Sequence, residues 1–297
     1  MATDSRTSET WTPPKGPHVP RLPTIAGVGY DASYVTRVRY RRDLTAASDT
    51  SMSSTSPART PYTVVVMPAF RAERTLEQTV GSLPREGIDH LLLVDDASPD
   101  DTVALAIALG LDVRRHQQNA GYGANQKTCY TEALALGATL VVLLHPDFQY
   151  DPASVPALVM PIHSGEADMT FGSRFAGGAD PRKGGMPNYR YFGNRIATAI
   201  ENRLLGTAFS EMHSGMRAYR REVLEALPFL SYSDDFDFDT QFLVGAHLRG
   251  FRIKEVAIPT RYTLESSSIT IPRSVRYVMR STRICWDARA RGKEPGT

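Results

Sequence analysis

Five short apolar runs mark the chain from residue 62 onward, and each is followed by a polar or glycine-rich stretch. The runs lie at residues 63–67, 90–94, 111–113, 139–144 and 168–172, and a further strand is predicted at 251–258. Continuous Val- and Leu-rich runs of this length are typical of strands buried on both faces of a sheet. Segments with apolar residues every three or four positions lie between the runs and predict helices. The alternation predicts an α/β domain with a mostly parallel sheet flanked by helices.

The run at residues 139–144 ends abruptly at a cluster of candidate metal ligands, His145, Asp147 and Gln149. In an extended chain, side chains two residues apart point to the same side, so these three are expected to converge on one cation. Imidazole nitrogen and carboxylate or amide oxygen all ligate divalent cations. The alternative interpretation of Asp147 is a turn residue or the cap of the next helix.

Other predicted strands also end at polar or turn-forming residues. Pro68 closes the first strand, and Asp95 and Asp96 follow the second. Ligands of open α/β sheets bind beyond the carboxyl ends of the strands, so we expect these residues to lie near Asp147. The acidic and hydroxyl residues at 95–102 suit the start of a helix equally well.

Residues 1–60 are polar and contain Pro- and Ser-rich stretches, a composition that buries too little apolar surface to offset chain entropy. We therefore predict a disordered or loosely attached arm at 1–60 and one α/β domain at 61–271. A basic amphipathic helix and tail are predicted at 272–297. The apolar stripe of this helix, which includes Val275, Met279 and Trp286, is expected to pack on the domain, with docking on anionic lipid as the alternative.

Two other segments have both a functional and a purely structural interpretation. The Gly/Pro-rich segment at 177–187 is typical of a loop that covers a substrate, and the alternative is a surface insertion. The acidic run at 233–239 suits the cap of the following helix as well as it suits a catalytic role.

The composition limits the kinds of binding partner and the cellular compartment that we expect. The 297 residues carry a formal net charge of only +2, which gives no indication of nucleic-acid binding. Cys129 and Cys285 form neither a zinc nor a disulfide framework, so a reducing compartment is expected. The start of the chain lacks an apolar signal core, and no run reaches the ~18 residues of a membrane span. We expect a cytoplasmic protein, with peripheral contact at the cytoplasmic membrane face or a membrane-protein partner as further options.

Four segments, taken in order, resemble family 2 glycosyltransferases of the GT-A fold. They are VMPAFRAE (66–73), VDDASPDDT (94–102), NAGYGA (119–124) and HPDFQYDP (145–152). Two more, FGSR (171–174) and HSGMRAY (213–219), resemble the branch containing dolichyl-phosphate mannosyltransferase and related polyprenyl-phosphate sugar transferases. The resemblance covers residues 62–270 and implies a GT-A, Rossmann-like fold with a nucleotide-sugar as donor.

The resemblance also implies which residues bind the donor. It places the nucleotide beside the ends of the first two strands and the diphosphate sugar beside the glycine turn. The residues concerned are Pro68, Ala69, Glu73, Asp95 and Asp96 for the nucleotide, and Asn119, Gly121 and Gly123 for the diphosphate sugar. Arg71 and Ala72 depart from the Asn-Glu that is common in this family, which puts the base contacts of that loop in doubt.

In the same pattern Asp147 falls on the last Asp of the Asp-x-Asp metal motif and is the central catalytic residue. His145 stands where the first Asp is expected, and this is the main departure from the family. A neutral imidazole can ligate Mn²⁺, whereas hard cations prefer oxygen. We therefore expect Mn²⁺ or Mg²⁺ as the cofactor, with the histidine either favouring manganese or weakening the binding of metal.

The remaining catalytic assignments depend on the acceptor. Arg174 and Arg217 are expected to hold phosphate oxygens by forked hydrogen bonds. A lipid phosphate is already ionised, whereas a hydroxyl acceptor would need a general base. The resemblance favours Glu211 as that base, and Asp234 and Asp235 are the alternatives.

Together these features predict an inverting, metal-dependent glycosyltransferase that moves a hexose from a GDP- or UDP-sugar to polyprenyl phosphate. A soluble metabolite or a saccharide hydroxyl is the alternative acceptor. A dinucleotide-binding oxidoreductase is disfavoured, because the turn at 121–123 lacks the third glycine of that fingerprint and follows the third strand. A non-catalytic protein that binds nucleotide-sugars is a further alternative, since function resides in the site and not in the sheet.

Overall fold

The computed structural model describes residues 62–262, 271–292 and 294–296. The arm predicted at 1–60 lies outside the described residues, and the proposed boundaries of the domain stay predictions.

A seven-stranded sheet forms the centre of the described structure. Its strands are β1 (Thr63–Ala69), β2 (His90–Asp95), β3 (Asp112–Arg115), β4 (Leu140–Leu143), β5 (Met169–Ser173), β6 (Arg217–Arg220) and β7 (Ile253–Ala257). Their order across the sheet is β3-β2-β1-β4-β6-β5-β7. Only β6 runs antiparallel to its neighbours in the described sheet. The prediction of a mostly parallel α/β sheet is confirmed.

The helices lie between and after the strands, as the periodicity predicts. They are α1 (Leu76–Gly81), α2 (Thr102–Ala108), α3 (Tyr122–Ala135), α4 (Val155–His163), α5 (Asn188–Leu205), α6 (Arg221–Ala226), α7 (Phe238–Leu248) and α8 (Ile271–Arg291). Short 3-10 turns occupy Pro152–Ser154, Ala176–Gly178, Pro181–Gly184 and Phe229–Ser231. No helix within the described ranges is both long enough and apolar enough to cross a bilayer.

The sequence pattern does not predict strand β6. Its four residues, Arg-Ala-Tyr-Arg, contain no apolar run, and the small and polar residues before it indicate a break in regular structure. In the fold β6 pairs with β4 and β5, and Arg217 lies opposite Leu143. This antiparallel register brings the segment at 213–215, just before β6, to the place where the chain leaves β4.

Both faces of the sheet are covered, which explains the continuous apolar runs. Val65 and Met67 of β1 pack into a core that includes α1, α2 and α4. Val64 and Val66 point to the opposite core, which includes α3, α6 and α7. Burying one such side chain contributes about 1.5–3 kcal/mol, so the sheet is firmly anchored and its carboxyl edge provides a rigid support.

Helix α8 packs on the domain along a narrow face only. Ser281, Cys285 and Ala288 are buried, and Cys285 and Ala288 pack against neighbours that include Val244 of α7. The outer residues of the predicted apolar stripe, Val275, Met279 and Trp286, are exposed. The expectation that the helix packs on the domain is therefore met by part of the stripe, and the rest of it is left on the surface.

Candidate active site

A cavity of about 510 Å³ lies beyond the carboxyl end of β4, between that strand end and helices α5 and α8. Its size is typical of small-molecule sites, which span roughly 300–1,000 Å³. One part of the wall is polar and carries Tyr122, His145, Asp147, Gln149 and Arg174. The wall formed by the two helices is largely apolar and includes Ile196, Ala197, Ile200, Val275, Val278 and Met279.

A sharp turn after β4 brings His145, Asp147 and Gln149 to this one cavity. Asp147 Oδ1 accepts a hydrogen bond of 3.0 Å from the backbone N–H of Gln149, and Phe148 has a positive φ of 54°. The three side chains therefore converge through a turn, which corrects the sequence argument from an extended strand. Within the described part of the chain, no three His, Cys, Asp or Glu side chains are grouped closely enough to hold a metal ion. His145 and Asp147 are thus a partial ligand set that the Gln149 amide can extend.

The side chain of Tyr122 determines the surroundings of His145. The two rings stack with centroids 5.4 Å apart and an interplanar angle of 14°. Tyr122 OH lies 3.2 Å from His145 Nε2 and donates a hydrogen bond of 2.8 Å to Asp239 Oδ2. Burial lowers the pKa of His145, although the charges of Asp147 and Asp239 act in the opposite direction. The imidazole is therefore favoured in its neutral form.

Gly215 lies against the Nε2 edge of the imidazole. A Cβ atom at this position would lie 2.9 Å from His145 Nε2 and 3.1 Å from Cδ2, closer than real Cβ contacts allow. The glycine of the HSG segment is therefore required by the close approach of the backbone to the histidine.

Arg174 and Glu211 form a buried ion pair. Arg174 Nε and its backbone N–H donate to Glu211 Oε2 at 3.0 and 2.9 Å, and Nη2 donates to Oε1. The amide of Asn194 donates to Oε1 as well, at 2.9 Å. Burial by itself would raise the pKa of Glu211, but the Arg174 guanidinium holds it below its ordinary value. A carboxylate with both oxygens occupied and a lowered pKa is poorly suited to act as a general base.

The guanidinium of Arg174 lines the cavity, but most of its donors are already used. Nη2 also donates to the carbonyl of His213 at 3.3 Å, and Nη1 donates to Tyr262 OH at 2.6 Å. A guanidinium has five N–H groups, so among the described contacts one N–H on Nη1 is left for a ligand. These contacts leave Arg174 with one N–H and its positive charge to offer to a phosphate, and its expected contact with a phosphate stays a prediction.

Arg217 does not reach the cavity. Its side chain is 1% exposed, and it donates to the carbonyls of Ser214 and Asp239 at 3.0 and 2.8 Å. The guanidinium also lies 4.0 Å from Asp239 Oδ1. Strand β6 turns the Arg217 side chain into the core, and the expected contact of Arg217 with the donor phosphates stays a prediction.

The two acidic residues at the end of β2 have different environments. Asp95 is fully buried, its Oδ2 accepts a hydrogen bond of 3.0 Å from the Ser98 N–H, and its Oδ1 has no partner among the described residues. Burial raises the pKa of Asp95, against the effects of Ser98 and Arg115. Asp96 instead accepts from the backbone N–H groups of Ala120 and Gly121 at 2.8 and 3.0 Å. Asp95 thus keeps a hydrogen-bonding atom available, while Asp96 organises the glycine turn.

The glycines of this turn are required by a neighbouring segment of the chain. A Cβ atom on Gly123 would lie 2.3 Å from the Ser233 carbonyl oxygen, and one on Gly121 would lie 2.8 Å from the Asp234 carbonyl oxygen. Gly123 N–H donates to that same Asp234 oxygen at 2.8 Å. Asn119 donates to the carbonyl of Asp96 at 3.2 Å. Close packing of two backbones is therefore sufficient to explain the glycines, and their contact with a diphosphate stays a prediction.

The other donor candidates lie at the end of β1. Ala69 and Asp95 are paired in the sheet register, and Pro68 is paired with Val94. Glu73 is exposed in the following turn, where its Oε2 accepts from the backbone N–H of Asp101 at 3.4 Å. The ends of β1 and β2 therefore adjoin each other as expected, although none of these residues lines the cavity itself.

The acidic run at 233–239 is anchored on two sides. Asp234 pairs with Lys127 at 2.6 Å, and Asp235 lies 3.4 Å from Arg280 of α8. The base roles considered for Asp234 and Asp235 stay predictions, and both carboxylates are engaged in ion pairs outside the cavity wall. Phe236, the next residue, lines the cavity and packs on Tyr122 with ring centroids 4.6 Å apart.

Several residues of the site were not identified from the sequence. They are Tyr122, Tyr150, Asn194, His213, Asp239, Tyr262 and Tyr277. Tyr122 lies between Gly121 and Gly123 of the glycine turn, and Asp239 is the last residue of the acidic run at 233–239. Both therefore lie in segments whose pattern indicated a function. Tyr150 and His213 lie inside the motif segments at 145–152 and 213–219, but no role was assigned to them. Asn194, Tyr262 and Tyr277 have no distinguishing pattern, because their partners are distant in the sequence.

The Gly/Pro-rich segment at 177–187 borders the cavity through Met186. The carbonyl of Gly184 accepts a hydrogen bond of 2.9 Å from Tyr262, and a Cβ atom on Gly184 would lie 2.2 Å from the carbonyl oxygen of Thr260. The segment is thus docked on the strand-end region, and its expected role as a substrate cover stays a prediction.

Comparison with known proteins gives one family match and several relatives. Residues 64–227 match the model of the family described as Glycosyl transferase family 2. An uncharacterised protein of Methanocaldococcus jannaschii is 31% identical over 204 residues, which cover 69% of this chain and 83% of that protein. The polyprenol monophosphomannose synthase of Mycolicibacterium smegmatis is 31% identical over 207 residues, which cover 67% of this chain and 77% of that protein.

Among solved structures, the fold is similar to glucosyl-3-phosphoglycerate synthase from Mycobacterium tuberculosis. The TM-score is 0.60 with 22% sequence identity, and the match covers 77% of this chain and 80% of that chain. That protein was crystallised with Mn²⁺, uridine diphosphate and glucosyl-3-phosphoglycerate. At this level of identity the likeness concerns the fold alone.

Proposed function

The chain belongs to glycosyl transferase family 2, and from this premise we propose that it transfers a hexose from a nucleotide-sugar to polyprenyl phosphate. The proposed reaction uses a divalent cation and inverts the anomeric carbon. GDP- and UDP-sugars are both candidate donors. The mycobacterial relative named as a polyprenol monophosphomannose synthase supports this choice of acceptor.

The observation that carries the proposal is the two-sided character of the cavity. Its polar wall holds His145, Asp147 and Arg174, and its other wall consists of apolar side chains on α5 and α8. Ile196 of α5 is 62% exposed and Met279 of α8 is 69% exposed. A polyprenyl phosphate has the same two-sided character, because its phosphate is charged and its chain is hydrocarbon. Each CH₂ group removed from water contributes about 0.8 kcal/mol, so such a cavity can retain the chain of the lipid.

The ionisation of a phosphate acceptor also fits the side chains present. Asp147 is the only carboxylate among the described residues that line the cavity, and Glu211 is held by Arg174. A phosphate oxygen is already negatively charged at neutral pH and attacks without losing a proton. A hydroxyl acceptor would need a base to remove its proton. A phosphate acceptor therefore needs no general base from this site.

The metal ligands in the cavity suit a divalent cation whose coordination is completed by the diphosphate of the nucleotide-sugar. His145, Asp147 and Gln149 would hold it, since an imidazole nitrogen, a carboxylate and an amide oxygen line one cavity. Manganese and magnesium commonly take few protein ligands and share phosphate oxygens and water. Bound there, the cation would neutralise the charge that develops on the departing nucleoside diphosphate.

The polar groups of the cavity are oriented by other residues of the protein. Glu211 fixes the plane of the Arg174 guanidinium, so the one Nη1–H that the described contacts leave points in a fixed direction. A cation held in this way costs little reorganisation when charge develops on a phosphate. Tyr122 stacks on the ring of His145, and Gly215 lies against the Nε2 edge of that ring. The polar wall is thus preorganised before any ligand binds.

We further propose that the face formed by α5 and α8 contacts the membrane in which the acceptor resides. Apolar surface is exposed on both helices, by Tyr189, Phe192, Ile196 and Ile200 of α5 and by Val275, Met279 and Trp286 of α8. Arg273 and Arg280 lie in the N-terminal half of α8 and are exposed. Apolar residues flanked by arginine are typical of helices that lie in the interface of an anionic bilayer. This contact would bring the cavity to its lipid acceptor.

The test is transfer from a panel of radiolabelled GDP- and UDP-sugars in Mn²⁺, Mg²⁺ or EDTA. The acceptor is polyprenyl phosphate in detergent, or phosphoglycerate as a water-soluble phosphate. Label that enters the organic phase with one donor, and only with metal present, supports the proposal. Label confined to a water-soluble product would replace the lipid acceptor with a soluble one.

The matched variants are Asp147→Ala and Asp151→Asn. Asp151 lies four residues further along the chain, outside the cavity wall, and its carboxylate caps a 3-10 turn. We expect the Asp147 variant to lose roughly 100-fold or more in turnover, since several kcal/mol of charge stabilisation are removed. The Asp151 variant should retain activity. Equal activity of the two variants would exclude the proposed metal site.

A further inference from the structure

Three side chains form a chain of hydrogen bonds that ends at the position where this sequence departs from its family. Asp239 of α7 accepts a hydrogen bond from Tyr122 of α3 at 2.8 Å, and Tyr122 OH lies 3.2 Å from His145 Nε2. Asp239 is 7% exposed. The chain thus links a buried carboxylate to the imidazole through one phenol.

The positions of the protons in this chain follow from counting donors. A phenol has one proton to donate and also accepts hydrogen bonds, and an ionised carboxylate can only accept. Gln126 donates to Asp239 Oδ1 at 3.3 Å, the guanidinium of Arg217 lies 4.0 Å from Oδ1, and Oδ2 is the atom that accepts from Tyr122. Tyr122 must therefore give its proton to Asp239. It can then only accept from His145, so the imidazole proton resides on Nε2.

The other nitrogen of the ring is consequently the one with a lone pair. Among the residues that the structure describes, none is hydrogen bonded to His145 Nδ1, and His145 lines the cavity beside Asp147.

We infer that Tyr122 and Asp239 are positioning residues that fix His145 as the Nε2–H tautomer and present its Nδ1 to a divalent cation beside Asp147. This inference rests on the proposed function, because the cation is the one proposed there. It explains how the chain tolerates histidine at a position where the family pattern has aspartate. The negative charge of Asp239 lies two hydrogen bonds away from the ring, and it makes the imidazole nitrogen a stronger ligand for the metal ion.

Packing around the ring supports the same assignment. Tyr122 stacks on one side of His145, Phe236 packs on Tyr122, and Gly215 lies against the Nε2 edge. These contacts lie at one face and at the Nε2 edge of the ring, and they hold that edge against Tyr122 and Gly215. Second-neighbour hydrogen bonds of this kind typically change metal affinity by about 10- to 100-fold.

The first experiment measures the tautomer in the metal-free, full-length protein by ¹⁵N NMR of labelled histidine. The chain has seven histidines, and the signal of His145 is assigned by its loss in His145→Gln. We expect wild-type His145 to show the Nε2–H pattern near neutral pH. A protonated Nδ1 with a bare Nε2 would overturn the inference. This measurement needs neither metal nor turnover, so its result does not depend on whether the proposed function is correct.

The second experiment uses Mn²⁺ and nucleoside diphosphate with electron spin echo detection. We expect ¹⁴N coupling from one imidazole in the wild type, and no such coupling in His145→Asp. Tyr122→Phe should weaken Mn²⁺ binding about 10-fold and allow both tautomers in the NMR spectrum. Tyr232→Phe is the matched control, since its buried OH has no hydrogen-bond partner among the described residues. Unchanged Mn²⁺ affinity and tautomer in Tyr122→Phe would show that the phenol does not position His145.

Discussion

Arg174 binds the carboxylate of Glu211 through both its side chain and its backbone N–H. This pairing occupies the carboxylate to which the family resemblance assigned the role of general base. Together with the contacts to His213 and Tyr262, it leaves Arg174 a single available N–H among its described contacts. The same pair makes the polar wall of the cavity rigid, and it can be tested as a structural element.

Removal of the charge on Glu211 should destabilise the protein strongly. Glu211→Gln leaves the buried Arg174 guanidinium without its counter-charge, and breaking such a pair typically costs about 3–5 kcal/mol. Chemical denaturation would measure the free energy of unfolding. The control is Glu166→Gln, which removes an exposed pair with Lys254 and should leave stability unchanged. Full stability of Glu211→Gln with loss of transfer to a hydroxyl acceptor would restore Glu211 as the base.

Addition of a methyl group at Gly123 should disturb the packing of the glycine turn on the acidic segment. Its Cβ would lie 2.3 Å from the Ser233 carbonyl oxygen and 2.9 Å from the Asp234 carbonyl carbon. Because both contacts are with backbone, we expect Gly123→Ala to cost about 1–3 kcal/mol in unfolding free energy. Gly81→Ala is the control, since no described atom lies within 4 Å of the position that its Cβ would take. Equal stability of the two variants would mean that the turn can shift without cost.

Acid should weaken the anchoring of β5 and β7 through Asp168. Its side chain accepts from Arg252, and its pKa is lowered to about 2 by this hydrogen bond and by the neighbouring arginine charges. Since the folded-state pKa lies below that of the unfolded chain, the contribution of Asp168 is present at neutral pH. It is lost as the pH falls through about 4 toward 2.

The Asp168→Asn variant should therefore show a smaller loss of stability between pH 6 and pH 3 than the wild type. Denaturant titrations at several pH values would measure the slope. Glu86→Gln, at an exposed position, should leave the slope as it is in the wild type. Identical acid slopes for wild type and Asp168→Asn would contradict the assignment of this carboxylate.

Polar substitutions on the exposed apolar face should affect the lipid acceptor selectively. Ile196 on α5 and Met279 on α8 both line the cavity, and both are mostly exposed. We expect the double variant Ile196→Ser, Met279→Ser to raise KM for polyprenyl phosphate and to reduce binding to anionic vesicles by about 10-fold, because hydrocarbon contact is lost. Met160→Ser is the control, since Met160 is 66% exposed on α4 and does not line the cavity. A KM that changes equally in both variants would argue against the cavity as the lipid site.

The sequence determined the sheet and the location of the site. Apolar runs such as the one before His145 have to be strands, because no other element buries so continuous a run between two layers of helices. Parallel strands place their carboxyl ends on one edge, so Asp95 and Asp147 were assigned to that edge correctly. The family match over residues 64–227 confirms the resemblance drawn from the motifs.

The tertiary structure alone decided which polar side chains are free to act and which are bound to one another. Tyr122 and Asp239 are 117 residues apart, and Arg174 and Glu211 are 37 apart. Spacing in the sequence carries no information on such pairs, because each depends on how distant elements pack. The antiparallel strand β6 is the clearest case, since its pairing with β4 turns Arg217 inward and brings Gly215 against His145. The local sequence pattern determines the helices and strands. The partner of each charged side chain is determined only when those helices and strands pack together.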